Sequence, residues 1–299
     1  MADTIRSASG RVADRRGEWL FAALLGLAAA VAMAALILIT FFVWREGWPI
    51  LARVGPLAFV FGRRWEPTSG VFGVFPQLVG SIYVTIGALV LAIPFGVGGA
   101  VFLAEFAPAW MRSILRPAVS LLAAIPSVVY GFVAMNLLLP LLQGPTGGLG
   151  MSLLAGAIVL AVMILPTLIG IAEDAIRAVP PDFRQASMGL GASHWQTIWR
   201  VVLPAARPGL LAAVILGAGR AIGETMAVMM VTGNVFIVPR SILQPGATLT
   251  GTIALEFAYA GPEHQRALFA VGIVLLLFIV VMNTAAQVAA GLARRRIAR

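Results

Sequence analysis

The sequence has no cysteine, no lysine and only two histidines in 299 residues, and charged side chains make up just 11% of it. Each shortage closes a class of chemistry. Without Cys there is no disulfide, no thiolate metal site and no Cys nucleophile. Without Lys there is no G-x-x-x-x-G-K-[ST] loop, whose Lys reaches the terminal phosphates of a nucleotide. The chain therefore cannot hydrolyse ATP in that way, and any such energy must come from a partner. His194 and His264 stand 70 residues apart, so no metal site is expected. The charged fraction is far below the roughly 25% of soluble domains, while 60% of residues are hydrophobic. A water-soluble globule is excluded.

What is present is apolar length. Roughly half the chain lies in six stretches of 24 to 28 residues with almost no charge, each longer than the ~20 residues a helix needs to cross a bilayer. The reading is an all-α polytopic membrane protein, with spans predicted near 19–43, 77–104, 117–142, 149–172, 209–232 and 267–293. The longest segments between them have 36 and 34 residues, short of the ~50 a domain needs to close a core. Four stretches of chain follow: a tail at 1–18, a first helix with its outer loop at 19–76, a five-helix core at 77–293, and a basic tail at 294–299.

All 21 cations are Arg, giving a net charge of +9. Fourteen fall on the face that carries both termini and six on the other, so the positive-inside rule puts both termini in the cytoplasm. The arginines flank apolar spans and form no single stripe, which argues for membrane orientation and against nucleic acid. The 25 apolar residues of the first span exceed the 7 to 15 of a signal-peptide h-region, so it is expected to stay as an anchor. Asp3 to Gly17 shows no periodic pattern and reads as a mobile tail.

Between Glu173 and Pro208 the chain leaves the membrane on the cytoplasmic side. Pro180, Pro181 and Asp182 mark a helix start, Gly189 and Gly191 interrupt it, and Ser193 with Gln196 has capping-box spacing for a second helix. Trp195, Ile198, Trp199 and Val202 then make one apolar stripe that Pro204 and Pro208 are expected to end. Spacing alone fits either a juxtamembrane connector or a docking element. The residues resemble the EAA loop of ABC importer permeases, E-A-A-x3-G-x9-I-x-L-P: Ala186, Gly191, Leu203 and Pro204 match, while Gln185, Ser187 and Val201 stand where that family has Glu, Ala and Ile. The resemblance implies coupling helices that dock in a cleft of an ATPase, with no carboxylate at Gln185 to form a salt bridge.

Two places inside the membrane carry candidate chemistry. Arg220 and Glu224 lie near the middle of the fifth span, where an Arg costs ~2.5 to 3.5 kcal/mol and is expected to face a bundle interior or a watered cavity. Four residues apart, they can pair on one helix face, and Gly219 with Gly223 allows close approach of a neighbouring helix. A structural ion pair and a pathway site, where the Arg220 fork meets an anion, both remain open. In the third span Pro126 should break or kink the helix. The break either exposes N–H groups beside Ser127 to an anionic substrate or is a packing kink with Ser127 bonded back to the helix. Pro94, with Gly96, Gly98 and Gly99, and Pro166 with Thr167 look like similar breaks in spans two and four.

Residues 123–131 (Ala-Ala-Ile-Pro-Ser-Val-Val-Tyr-Gly) and 219–227 (Gly-Arg-Ala-Ile-Gly-Glu-Thr-Met-Ala), followed by Gly233-Asn234, resemble the two most distinctive segments of the PstC family of phosphate-specific permeases, type I ABC importer subunits with a six-helix MetI-like core. Trp65-Glu66-Pro67, Phe72-Gly73, Leu249-Thr250 and Ile253-Ala254 are similar too, and the resemblance runs from about residue 60 to the C-terminus. It implies phosphate uptake by alternating access in a bacterial cytoplasmic membrane, with a PstA-like sister permease, a PstB-like ATPase dimer and an extracytoplasmic phosphate-binding protein that meets the loops around Trp65 and Thr250. No cofactor is expected on this chain, since ATP and magnesium belong to the ATPase. The expected pathway set is Arg220, Glu224, Ser127, Pro126 and Thr225. The expected coupling set is Gln185, Ala186, Ser187, Gly191, Val201, Leu203 and Pro204. Alternatives are a permease for sulfate, molybdate or tungstate and a phosphate-status sensor. A membrane-embedded enzyme would need clustered carboxylates, paired His or a Ser with a base, which this sequence does not offer.

Overall fold

Hydropathy places the long helices, and local breaks decide where they begin and end. The computed structural model describes residues 3–295, within which six helices are long and apolar enough to cross a bilayer. The first, α1 (Asp3–Val54), already starts inside the segment expected to be an irregular tail. Gly55, Pro56 and a short α2 (Pro56–Phe61) follow, then a two-stranded hairpin of β1 (Trp65–Glu66) and β2 (Val71–Phe72). This end of the molecule is called the hairpin end below. Helix α3 (Phe75–Val101) crosses to the opposite end and runs on through one π turn, Phe102–Phe106, closed by the Ala107 N–H on the Phe102 carbonyl at 2.8 Å.

The third span differs from expectation. The apolar run 117–142 is two helices, α4 (Ala109–Ala124) and α5 (Ser127–Thr146), separated by the extended residues Ile125 and Pro126. Pro126 lacks the N–H that would continue the ladder, so α5 starts afresh behind it, and the membrane-crossing piece is Ser127–Thr146. Pro94 and Pro166, by contrast, sit inside unbroken α3 and α6 (Leu153–Arg177). Pro204 and Pro208 do not stop the next helix either. After α7 (Pro181–Gly189) and α8 (His194–Thr197), a π turn at Ile198–Val202 leads straight into α9 (Leu203–Gly223), with Pro204 in its first turn where an N–H is dispensable. The fifth span then breaks at Glu224 and Thr225 before α10 (Met226–Val231), and α11 (Leu249–Glu256) and α12 (Pro262–Arg295) complete the chain. Arg296 to Arg299 of the expected basic tail lie outside the described residues.

The core forms around α6, which packs against α3 and α9 through small residues. Leu168 is fully buried between them: a Cβ at Gly96 of α3 would stand 2.9 Å from the Leu168 Cβ, and one at Gly217 of α9 would stand 3.3 Å from its Cδ2. Without side chains at those two points the helices approach closely enough for dispersion contact along their length. A second cluster joins Ile50, Phe59, Trp65 and Phe72 to Leu249 and Ile273 at the hairpin end. Residues 19–42 of α1 are exposed along their whole length and contribute nothing to either cluster, the burial expected of a span whose neighbour is lipid or another subunit.

Candidate functional site

Two helix breaks lie side by side in the middle of the bundle. The first turn of α5 meets the first turn of α10 at Gly131, where a Cβ would be 3.1 Å from the Ala227 Cα and 2.6 Å from the Met230 sulfur. This brings Pro126, Ser127 and Tyr130 into the neighbourhood of Arg220, Glu224 and Thr225. Tyr130 donates its hydroxyl to the Leu122 carbonyl across the α4–α5 break at 2.8 Å, and it is near enough to Arg220 for the two to interact electrostatically.

Arg220 and Glu224 do not pair. The break at Glu224 turns the second residue off the α9 face, and among the described residues no ion pair within 4 Å joins Arg220 to a carboxylate. Glu224 instead accepts the Ala227 N–H at 3.2 Å and so caps the start of α10, while its own carbonyl accepts the Thr250 hydroxyl at 3.1 Å. Thr225 bonds back to the Gly223 carbonyl at 3.2 Å. Arg220 is exposed within this chain and donates to the Thr167 hydroxyl on α6 at 3.4 Å. Gly219 and Gly223 beside it have no atom of the chain within 4 Å of a notional Cβ, so the close approach expected at that pair is not made inside this chain.

Thr167 also lines a cavity of about 290 Å³ between α4 and α6, together with Arg116, Ser120, Glu173 and Asp174. Arg116 bonds Asp174 at 2.6 Å, and the buried Glu173 carboxylate lies 3.2 Å from Arg177 and 3.9 Å from Arg116 without a hydrogen bond, held by charge. On α6, Thr167 stands six residues before Glu173 and seven before Asp174, about 10 Å along the axis. Sequence reading missed this set because its members come from two helices 58 residues apart.

At the opposite end from the hairpin, the chain between α6 and α9 presents the other candidate surface. The capping box is formed: the Ser193 hydroxyl accepts the Gln196 N–H, and the Gln196 side chain accepts the Ser193 N–H. Gly191 has a φ of 85°, a left-handed backbone that favours glycine, and it turns α7 into α8. The expected stripe divides in two. Ile198 and Val202 are buried, while Trp195 and Trp199 are exposed and meet edge to face at 5.8 Å. A groove of about 400 Å³ is lined by Phe183, Ala186, Ser187, Leu190, Arg200 and Val201. Of the coupling set, Ala186, Ser187 and Val201 line the groove, Gln185 and Gly191 are exposed nearby, and Leu203 and Pro204 open α9.

The loops around Trp65 and Thr250 are less open than expected. Trp65 is 5% exposed and donates its indole N–H to Glu256 at 2.8 Å, and Thr250 is half-buried against the Glu224 break. His264 shares the same Glu256 oxygen at 2.8 Å.

Broken helices around a guanidinium that has no carboxylate partner among the described residues, with an apolar groove on a short-helix loop at one end, are the features of a transport subunit of the membrane. Residues 92–299 match the family described as binding-protein-dependent transport system inner membrane component. The chain belongs to this family: it is an integral, multi-pass ABC importer permease, a transport subunit and not an enzyme. It is 42% identical over 255 residues to a probable ABC transporter permease protein, YqgH, of Bacillus subtilis (strain 168), covering 83% of this chain and 82% of that protein. It is 34% identical to the phosphate transport system permease protein PstC of Pasteurella multocida (strain Pm70), over 75% of this chain and 77% of that one. Among solved structures, a chain of the MetNI methionine ABC transporter in inward-facing conformations superposes with a TM-score of 0.59 at 19% identity, over 77% of this chain and 99% of that chain. That likeness gives the MetI-like fold.

Proposed function

We propose that this chain is the permease subunit of an ATP-driven importer for inorganic phosphate, lying in the bacterial cytoplasmic membrane with both termini in the cytoplasm. It forms the pathway with a PstA-like sister permease by alternating access. A PstB-like ATPase dimer docks on residues 173–208, and an extracytoplasmic phosphate-binding protein delivers the anion at the hairpin end. The observation that carries this reading is Arg220: a guanidinium with no carboxylate partner among the described residues, beside two helix breaks and an open Gly219–Gly223 face. A planar fork with free N–H groups suits a tetrahedral oxyanion, and an unpaired Arg in a membrane is expected to be functional. The similarity to PstC proteins supports phosphate as that oxyanion.

Glu224 then acts by shaping the break and not by neutralising Arg220. Its carboxylate holds the first turn of α10, and this leaves the guanidinium to the anion. Thr225 lies at the same break, Pro126 and Ser127 form the neighbouring α4–α5 break, and the α4–α6 cavity beyond Thr167 offers the anion a polar way onward.

The test is ATP-driven uptake of labelled phosphate into proteoliposomes holding this chain with its sister permease, ATPase and binding protein. Competition by unlabelled phosphate but not by sulfate or molybdate supports the reading, and Arg220→Gln should abolish uptake while the complex still assembles. Uptake of sulfate, molybdate or tungstate instead moves the substrate and keeps the permease. ATP hydrolysis with no uptake of any oxyanion favours a phosphate-status sensor.

A further inference from the structure

One buried carboxylate ties the groove-bearing helices to the bundle. Glu105 lies in the π turn that ends α3, its side chain 6% exposed. Arg184 of α7 reaches it with two nitrogens, Nε at 3.1 Å and Nη2 at 2.6 Å from one oxygen. The same guanidinium donates to the Ile176 and Val179 carbonyls at 2.9 and 2.7 Å, at the end of α6. His194 of α8 approaches the other Glu105 oxygen at 3.6 Å, and its ring meets Phe106 edge to face at 5.2 Å. The Ser187 and Thr197 hydroxyls, 2.9 Å apart, join α7 to α8. A single side chain therefore holds α7, the end of α3 and the end of α6 together, and α3 and α6 are the two helices that pack through Leu168 at the centre of the core.

A largely desolvated, charge-assisted fork is stiff: stretching it separates charges in a low-dielectric setting and orphans two carbonyls. We propose that Arg184 and Glu105 are positioning residues that transmit movement of α7 and α8 to α3 and α6, so that displacement imposed on the groove reaches the transport pathway. This rests on the reading of residues 173–208 as the ATPase-docking surface. Gln185, next in sequence, has no carboxylate to bridge outward. The charged contact at this position is made inward by its neighbour Arg184.

The experiment uses the complete transporter. Because the chain has no cysteine, spin labels can be placed at Met188→Cys on α7, outside the groove lining, and Val90→Cys on α3, both exposed positions, and their separation measured with and without ATP. The joint requires that the labels move as one body, so the distance distribution is the same in both states, and that Arg184→Gln makes it ATP-dependent. A separation that already changes with ATP when Arg184 is present, or one that stays fixed in Arg184→Gln, overturns the proposal. This readout does not depend on which anion is carried, so it stands apart from the substrate reading, which uptake decides. In transport assays the phosphate moved per ATP hydrolysed should fall by about tenfold in Arg184→Gln, within the usual range for coupled sites, with hydrolysis kept within about twofold. Glu105→Gln and the double variant should give the same ratio, since removing either end opens the joint. Parallel loss of uptake and hydrolysis with an unchanged ratio marks a plain structural role and overturns it. If Arg184→Gln does not assemble, Arg184→Lys keeps the charge without the fork, and an unchanged ratio with a fixed separation there overturns the proposal equally.

Discussion

Each of the two histidines faces a buried glutamate, one at either end of the bundle, and the two clusters are built differently. At the groove end Glu105 is held by the Arg184 guanidinium, with His194 at the margin. At the hairpin end Glu256 is held by an indole N–H and an imidazole, both on the oxygen Oε2, with no arginine paired to it among the described residues. The first is a charge-assisted joint and the second is a hydrogen-bonded latch. Their reach differs too. Arg184 grips the ends of two core helices, whereas Glu256 closes the end of α11, whose start touches the Glu224 break through Thr250. On the proposed reading, force enters at the groove end through the stiffer joint, and the hairpin end carries the lighter fastening.

The sharpest way to break this comparison is to remove charge and keep shape. Glu105→Gln leaves Arg184 without a counter-charge in a site where its side chain is only 20% exposed. Breaking a buried pair from one side costs up to several kcal/mol, and residual exposure with the two carbonyl contacts puts this one at about 2 to 3 kcal/mol. Glu256→Gln keeps an amide oxygen for the Trp65 N–H and should cost ~1 kcal/mol or less. Thermal midpoints of the two variants in one detergent decide it, and equal losses would mean that the ends are not fastened by different physics.

Thr250→Val sharpens the second half of the contrast. It removes the hydroxyl that meets the Glu224 carbonyl and should cost about 1 kcal/mol in stability, the net worth of one ordinary hydrogen bond. If α11 links the hairpin end to the pathway, uptake should fall by more than the thermal midpoint suggests. An effect on stability alone would confine the latch to holding the fold.

Much of this architecture is legible from hydropathy, and the exceptions have physical causes. The six spans follow from apolar length, and the break at Pro126 follows from a missing N–H. The third span lies later than hydropathy places it because residues 117–142 are continuously apolar, and nothing in that run shows that the residues before Pro126 belong to a separate helix. The break at Glu224 carries no proline, and the one local signal, Gly223 at the end of α9, is masked by the other glycines of the segment. It is held by a local bond, the Glu224 cap on Ala227, and by one tertiary contact, the packing of α10 on Gly131, so helical spacing pairs Arg220 with a residue that faces elsewhere. Pro204 looks like a stop because the π turn before it is invisible in sequence. The Glu105–Arg184 and Trp65–Glu256 contacts join residues 79 and 191 positions apart, beyond any periodicity. Arg220 stands out in the sequence because an arginine inside an apolar run is conspicuous.

The smallest effect lies at Tyr259, beside the hairpin-end latch. Its phenol is held above the usual tyrosine range, first by partial desolvation and then by the Glu256 charge. A folded-state value raised above the unfolded one, near 10, gives stability that is present below that pH and lost as the pH rises through the folded value. Wild-type protein should therefore lose slightly more stability than Tyr259→Phe between about pH 9 and 11. The side chain is 67% exposed, so solvent screening keeps the difference small. Thermal midpoints of the pair at pH 8 and pH 10.5 test it. In the Glu256→Gln background one of the two causes is gone, and the difference should shrink. If it does not, the carboxylate does not act on its surroundings as a charge, and the hairpin-end latch is lighter still than its hydrogen bonds imply.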